Sequence, residues 1–129
     1  MEIPEKEAER YDAEKEERKE ETGMGKIKVI IKRPDEEYGH VTHISATLAN
    51  LQRTIGGPIE TVPVGGGAIC ICNEEGKIRG LQKNFWIGVE PFADLIVGEA
   101  IIAGTSGTEF GDCPISFDIW KKLLKGWGN

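Results

Sequence analysis

The chain has no uninterrupted apolar run of the roughly 18 residues that a membrane-spanning helix needs. Its first residues are charged where a secretory signal would be apolar. Both absences predict a cytoplasmic protein with no membrane partner. Cysteine is scarce: Cys70, Cys72 and Cys113 are odd in number and lack the paired spacing of a secreted disulfide scaffold. They are expected to be reduced and mostly buried. Histidine is scarcer still. His40 and His43 stand three apart, which in an extended segment puts them on opposite faces. No Ser/His/Asp or Cys/His order stands out, so no catalytic residue is assigned, and the balance leans against an enzyme without excluding one. A basic excess is also missing. Residues 1–22 hold ten acidic and five basic side chains out of a net charge of −6, which leaves residues 23–129 close to neutral. A protein that coats nucleic acid neutralises many phosphates with a basic face, so nucleic acid is not an expected partner.

At 129 residues the chain can bury one hydrophobic core. Residues 1–22 form an acidic, charged tail, helical or disordered, because almost nothing in them can bury an apolar face. Pairs such as Glu2/Lys6 and Glu14/Arg18 at helical spacing add only about 0.2 to 0.5 kcal/mol each. Residues 23–129 are a single α+β domain. All 17 glycines lie there, the mark of a chain that turns often between short elements.

The apolar pattern predicts those elements. Ile27, Val29 and Ile31 alternate with lysines in 26–32, the period of a half-buried strand. A turn over 34–39 returns as a strand over 41–44. Ser45 is placed as the N-cap of a short helix carrying Leu48, Leu51 and Ile55, stopped by Gly56 and Gly57. Strands over 59–64 and 68–73 are joined by Gly65, Gly66 and Gly67, and a polar turn over 73–77 leads into a further strand over 78–81, making an antiparallel meander. An irregular stretch follows over 84–91. One buried strand then spans 95–103 with Gly98 as a bulge, followed by a loop over 104–111. Ser116 caps a last helix that aligns Ile119, Trp120, Leu123, Leu124 and Trp127. The expected fold is α+β: a curved antiparallel sheet of five or six strands, one short internal helix and a C-terminal helix.

Three constellations bear on function. The triple glycine invites a phosphate-loop reading, but no helix and no Lys-Ser/Thr pair follows it, so it reads as a hairpin tip. Cys70 and Cys72 share one face of a strand and read as core, since zinc sites draw on cysteine knuckles in turns. No metal and no cofactor is expected. The densest polar cluster is 73–84, where Asn73, Glu74, Glu75, Lys77, Arg79 and Asn84 surround two turns. As plain structure it is a solvated turn in which Asn73 bonds its own backbone and Gly76 takes a positive φ. As function it is a recognition loop carried on a sheet. With Glu60, these residues are the candidate ligand- or partner-binding set. The nearby Phe85 and Trp86 suit either a stacking surface or core packing.

The series Leu51-Gln52-x-x-Ile55-Gly56-Gly57-x-Ile59-Glu60-x-Val62-Pro63, then Cys72-Asn73-Glu74-Glu75-Gly76-Lys77, Gly80-Leu81-x-x-Asn84 and Ile96-Val97-Gly98-x-Ala100, resembles the domain of unknown function 3846 family. The resemblance runs from about Lys26 into the final helix. It departs from the family pattern at Pro58 and at Gln82-Lys83. It implies a setting in phages, prophages and mobile elements, and hence a bacterial host cytoplasm. It brings no established catalytic residue.

On these grounds the expected function is a small accessory protein of a phage or mobile element. It would act as a non-enzymatic binding module toward a host protein or small ligand, in a counter-defence role. One alternative is a nucleotide-binding sponge or hydrolase, with a pocket between the glycine loop and 73–84. Another is a self-assembling structural protein, which leaves a homo-oligomer open.

Overall fold

The computed structural model describes residues 25–129, and the expected helical or disordered tail at 1–22 lies outside the described residues. In chain order the elements are β1 (Lys26–Lys32), β2 (His40–Ser45), α1 (Leu48–Ile55), β3 (Ile59–Gly65), β4 (Ala68–Asn73), β5 (Lys83–Ile87), β6 (Asp94–Val97), β7 (Ala100–Ser106), β8 (Glu109–Gly111) and α2 (Phe117–Gly126). Six strands form one open antiparallel sheet in the order β2-β1-β7-β4-β3, with β8 paired to β7, and β5 and β6 form a separate two-stranded ribbon. The α+β architecture, the six-stranded antiparallel sheet and the two helices match the expectation from the sequence. No helix among the described residues is long and apolar enough to cross a membrane.

The sheet is covered on both faces, which explains why its central strands are apolar at nearly every position. Register aligns Ile30, Ile102 and Cys70 across β1, β7 and β4. With Cys72 and Ala100 they face a core closed by Phe85, Ile87 and Ile96 of the ribbon and by Trp120 and Leu124 of α2. The next row, Ile31, Ile101 and Ile71, points the other way and meets Leu51 and Ile55 of α1. Trp120 is fully buried, edge-on to Phe85 at 5.3 Å and to Trp127 at 6.1 Å. Its indole N–H donates to the Tyr38 carbonyl at 2.8 Å, so the polar end of this large side chain is satisfied inside the core.

Several local expectations are corrected. The cap of α1 is Thr47, whose hydroxyl accepts from Asn50 N–H at 3.1 Å; Ser45 is still paired with Lys26 at the end of β2 and gives its hydroxyl to Thr47 Oγ1. Residues 78–81 form no strand. Arg79 N–H reaches the Glu75 carbonyl and Leu81 N–H the Gly76 carbonyl, winding the segment into consecutive turns that leave Ile78 90% exposed. The meander breaks there, because the second neighbour of β4 is β7 and the chain goes on to build the ribbon. The irregular stretch expected over 84–91 opens instead as most of β5, in which Phe85 and Ile87 are buried either side of the exposed Trp86. The apolar run 95–103 is two strands in two different sheets, turned apart at Gly98 with φ +74°. The expected loop at 104–111 is the β7–β8 hairpin. Ser116 caps α2 as expected, accepting from Ile119 N–H at 3.1 Å.

Candidate functional site

The polar cluster singled out in the sequence sits where β4 runs out of the sheet and the chain crosses to the ribbon. Asn73 starts the crossing as an Asx turn: its Oδ1 accepts from Glu75 N–H at 2.8 Å. Glu74 N–H donates to the Pro58 carbonyl at 2.9 Å, tying the turn to the start of β3. Gly76 does not take the positive φ expected of it; Gly80 does, at +68°. Gly76 is needed for closeness instead, since a Cβ there would meet Val97 Cγ2 at 2.7 Å.

Between this turn, β3 and β6 lies a small cleft. Glu60 and Cys72 are register partners and line one wall, with the thiol donating to Glu60 Oε1 at 3.8 Å. Asn73, Glu74 and Lys77 line the turn side, and Asp94 with Leu95, Ile96 and Val97 line the ribbon side. Lys77 Nζ bridges the two sides to Asp94 Oδ1 at 3.1 Å. The cleft volume is about 40 Å³. That is room for water or for the tip of one side chain, against the 300 Å³ or more of an ordinary small-molecule site.

The structure thus brings together four of the seven candidate residues: Glu60, Asn73, Glu74 and Lys77. Glu75 is exposed on the turn and lines no part of the cleft. Arg79 folds back to donate to the Gly56 carbonyl at 2.9 Å, closing the C-terminal end of α1. Asn84 is half-buried, donating to the carbonyls of Lys32 and Gly98 at 2.8 and 2.7 Å. Asn73 is 4% exposed, and its Nδ2 finds no acceptor among the described residues. Asp94 was missed by sequence reasoning. It lies 17 residues from Lys77, and only the docking of β6 brings the two together.

The glycine loop is not near this site. Gly65 pairs with Ala68 at one end of the β3–β4 hairpin, whereas Ile59 pairs with Asn73 at the other. A pocket between the loop and the 73–84 turns therefore does not form. Cys70 and Cys72 are core residues. A hydrogen bond with Cys72, together with burial, pushes the Cys70 thiol well above its ordinary range, so it stays protonated at neutral pH. Burial pushes Cys113 up as well.

Residues 27–125 match the family model described as Domain of unknown function (DUF3846). The chain belongs to this family. The matched span runs from the second residue of β1 to the penultimate residue of α2, so the DUF3846 unit is the two-sided sheet with its ribbon and both helices. No curated protein and no solved structure matches the chain. The motif residues of this DUF3846 domain largely hold one another. Gly57 lies against the Asn73 amide, Gly76 against Val97, and Gly98 against Leu81, where a Cβ would approach Cδ1 to 2.8 Å.

Proposed function

We propose that this chain is a non-enzymatic binding module of a phage or mobile element that engages a protein of the bacterial host in a counter-defence role. Its recognition surface is the crossing turn over 73–84 and the neighbouring tip of the β5–β6 ribbon. The observation that carries this reading is the size of the cleft. Glu60, Glu74, Lys77 and Asp94 converge on only about 40 Å³, which suits a single side chain reaching in from a partner and is far too small for a nucleotide. Around this polar centre stand Ile78, 90% exposed, and Phe92, 87% exposed, the kind of apolar side chains that anchor protein interfaces. Three carboxylates against one lysine select a cationic side chain on the partner. The nucleotide reading draws less support, because the glycine loop lies at the far end of the hairpin.

The test is a photo-crosslinking amino acid at position 78, expressed in the bacterial host. The expected result is one discrete adduct with a host protein, lost when Glu60 and Glu74 are both changed to Gln. The same crosslinker at Thr108, on the β7–β8 turn, should give none. Equal labelling from both positions would sink the proposal.

A further inference from the structure

Asn73 borders the cleft, but its carboxamide does not turn into it. Side chains two apart on a strand share a face. Ile71 packs under α1 together with Ile59, the register partner of Asn73, whereas Cys72 and its partner Glu60 face the ribbon. The Asn73 side chain therefore lies on the α1 side of the sheet. The Asx turn orients it there: Oδ1 accepts from Glu75 N–H at 2.8 Å, and Nδ2 is left against Gly57, just past the C-terminal end of α1.

Two donors converge at this corner. A Cβ on Gly57 would stand 3.0 Å from Asn73 Nδ2 and 3.2 Å from Arg79 Nη1. The Gly57 backbone has no positive φ, so what glycine supplies here is the close approach of both groups. Nδ2 is buried in a residue only 4% exposed, and neither of its N–H groups has an acceptor among the described residues. A buried donor left unpaired costs stability, which marks the place where an acceptor is missing. Arg79 is exposed, and its guanidinium makes one bond among the described residues, to the Gly56 carbonyl. Its remaining N–H groups are available on the solvent side of the buried amide.

We propose that the corner formed by Asn73, Arg79 and Gly57 is a binding site for one carboxylate. In the structure Arg79 closes it. Swung outward on its flexible stem, the guanidinium holds the carboxylate by its fork, and one carboxylate oxygen accepts from Asn73 Nδ2. A planar, singly charged group is the oxyanion that fits. Arginine pairs with a carboxylate through two parallel bonds, whereas the carbonyls ending α1 carry the negative end of its dipole and disfavour a dianion such as phosphate. The site lies across the sheet from Glu60 and does not depend on what fills the cleft.

Nuclear magnetic resonance of the Asn73 side-chain amide in the isotope-labelled full chain tests this. The probe is sodium acetate at neutral pH, compared with sodium chloride and sodium phosphate at matched ionic strength. Acetate is expected to move the Asn73 Nδ2 signal saturably in the millimolar range, and the other two salts are not. Arg79→Gln should weaken acetate binding at least about tenfold. Gly57→Ala sets a methyl against both donors without removing either and should abolish the response, with circular dichroism to show that both variants are folded. A tripeptide blocked at both ends, with one central glutamate, separates the sources: binding tighter than acetate assigns the carboxylate to a protein partner, and equal or weaker binding assigns it to a free acid. The proposal is overturned if acetate leaves the signal in place and the amide contacts only an internal water. It is equally overturned if chloride or phosphate acts as acetate does, or if Arg79→Gln responds like the parent chain.

Discussion

Asn84 holds Lys32 at both ends. Its Oδ1 accepts from the lysine ammonium at 2.7 Å, and its Nδ2 donates to the lysine's own carbonyl at 2.8 Å. The ammonium also donates to the Glu36 carbonyl at 2.7 Å and lies 5.6 Å from the centre of the Phe85 ring, with the residue 3% exposed. One buried cation thus joins the end of β1, the β1–β2 turn and the ribbon. Asn84→Ala removes one acceptor of a buried charge and is expected to cost about 2 to 3 kcal/mol. Lys32→Met is expected to cost about 1 to 3 kcal/mol, because it leaves the Asn84 and Glu36 oxygens without their donor. Urea unfolding of both single variants and the double variant checks this. The double should lose clearly less than the sum, since each change removes the same interaction.

The same lysine gives the alkaline limb of stability a definite sign. Burial lowers its pKa below 10.5 and outweighs the opposing pull of Glu36 and Asp35. The unfolded chain then binds more protons than the folded one between the lowered value and 10.5, so the fold should gain stability as pH rises through that window. The Glu36 carboxyl sets the acid limb. Burial pushes it up, but the Arg33 N–H bond at 2.9 Å, the His40 contact at 2.8 Å and the charges of both residues hold it below 4.5. Its contribution is present above 4.5 and is lost as pH falls through the lower folded value. Unfolding midpoints measured from neutral pH downward should therefore show the parent chain and Glu36→Gln converging in acid. A constant gap between them would contradict the assignment.

How far the fold could be read from sequence depends on how local its determinants are. The alternation in β1, the Ser116 cap and the Gly56 stop each rest on a few adjacent residues, and each appears where expected. Strand β5 did not show itself because Phe85, Trp86 and Ile87 form a continuous apolar run, in which the exposed middle residue is distinguished only by what the ribbon packs against. The run at 95–103 was legible as buried but not as two strands, since the break is only Gly98 and Glu99, between strands that belong to separate sheets. For the site, the crossing turn was legible and its convergence was not. Arg79 and Asn84 resemble recognition residues by type, yet the bonds that occupy them reach Gly56 and Lys32, far away in the chain.

Lys77 and Asp94 are an exposed pair, with side chains 64% and 45% accessible. Solvent screens such a contact, so its share of stability is within about 1 kcal/mol. Lys77→Ala is accordingly expected to leave the thermal midpoint almost unchanged while unmasking Asp94 toward a cationic partner. Position-78 crosslinking in that background should rise relative to the parent chain. A fall in yield without loss of fold would mean that Lys77 itself contacts the partner, reversing the charge preference argued for the cleft.

Gly76 and Val97 make the clearest steric prediction. A Cβ on Gly76 would sit 2.7 Å from Val97 Cγ2 and 3.3 Å from the Asn73 carbonyl oxygen. The valine is buried and the carbonyl accepts from Gly76 N–H at 3.1 Å, so neither can yield freely. The backbone at Gly76 is ordinary, and the expected loss of about 1 to 3 kcal/mol for Gly76→Ala comes from overpacking rather than from a forbidden φ. Shortening the facing side chain should then recover part of the loss, making Gly76→Ala/Val97→Ala more stable than the sum of the two single changes. At Gly98 the outcome should differ. A Cβ there would approach Leu81 Cδ1 to 2.8 Å, but φ is +74°, so Leu81→Ala should relieve the clash and still leave Gly98→Ala strained. Urea midpoints for the two cycles separate crowding from backbone strain, and equal rescue at both positions would refute the distinction.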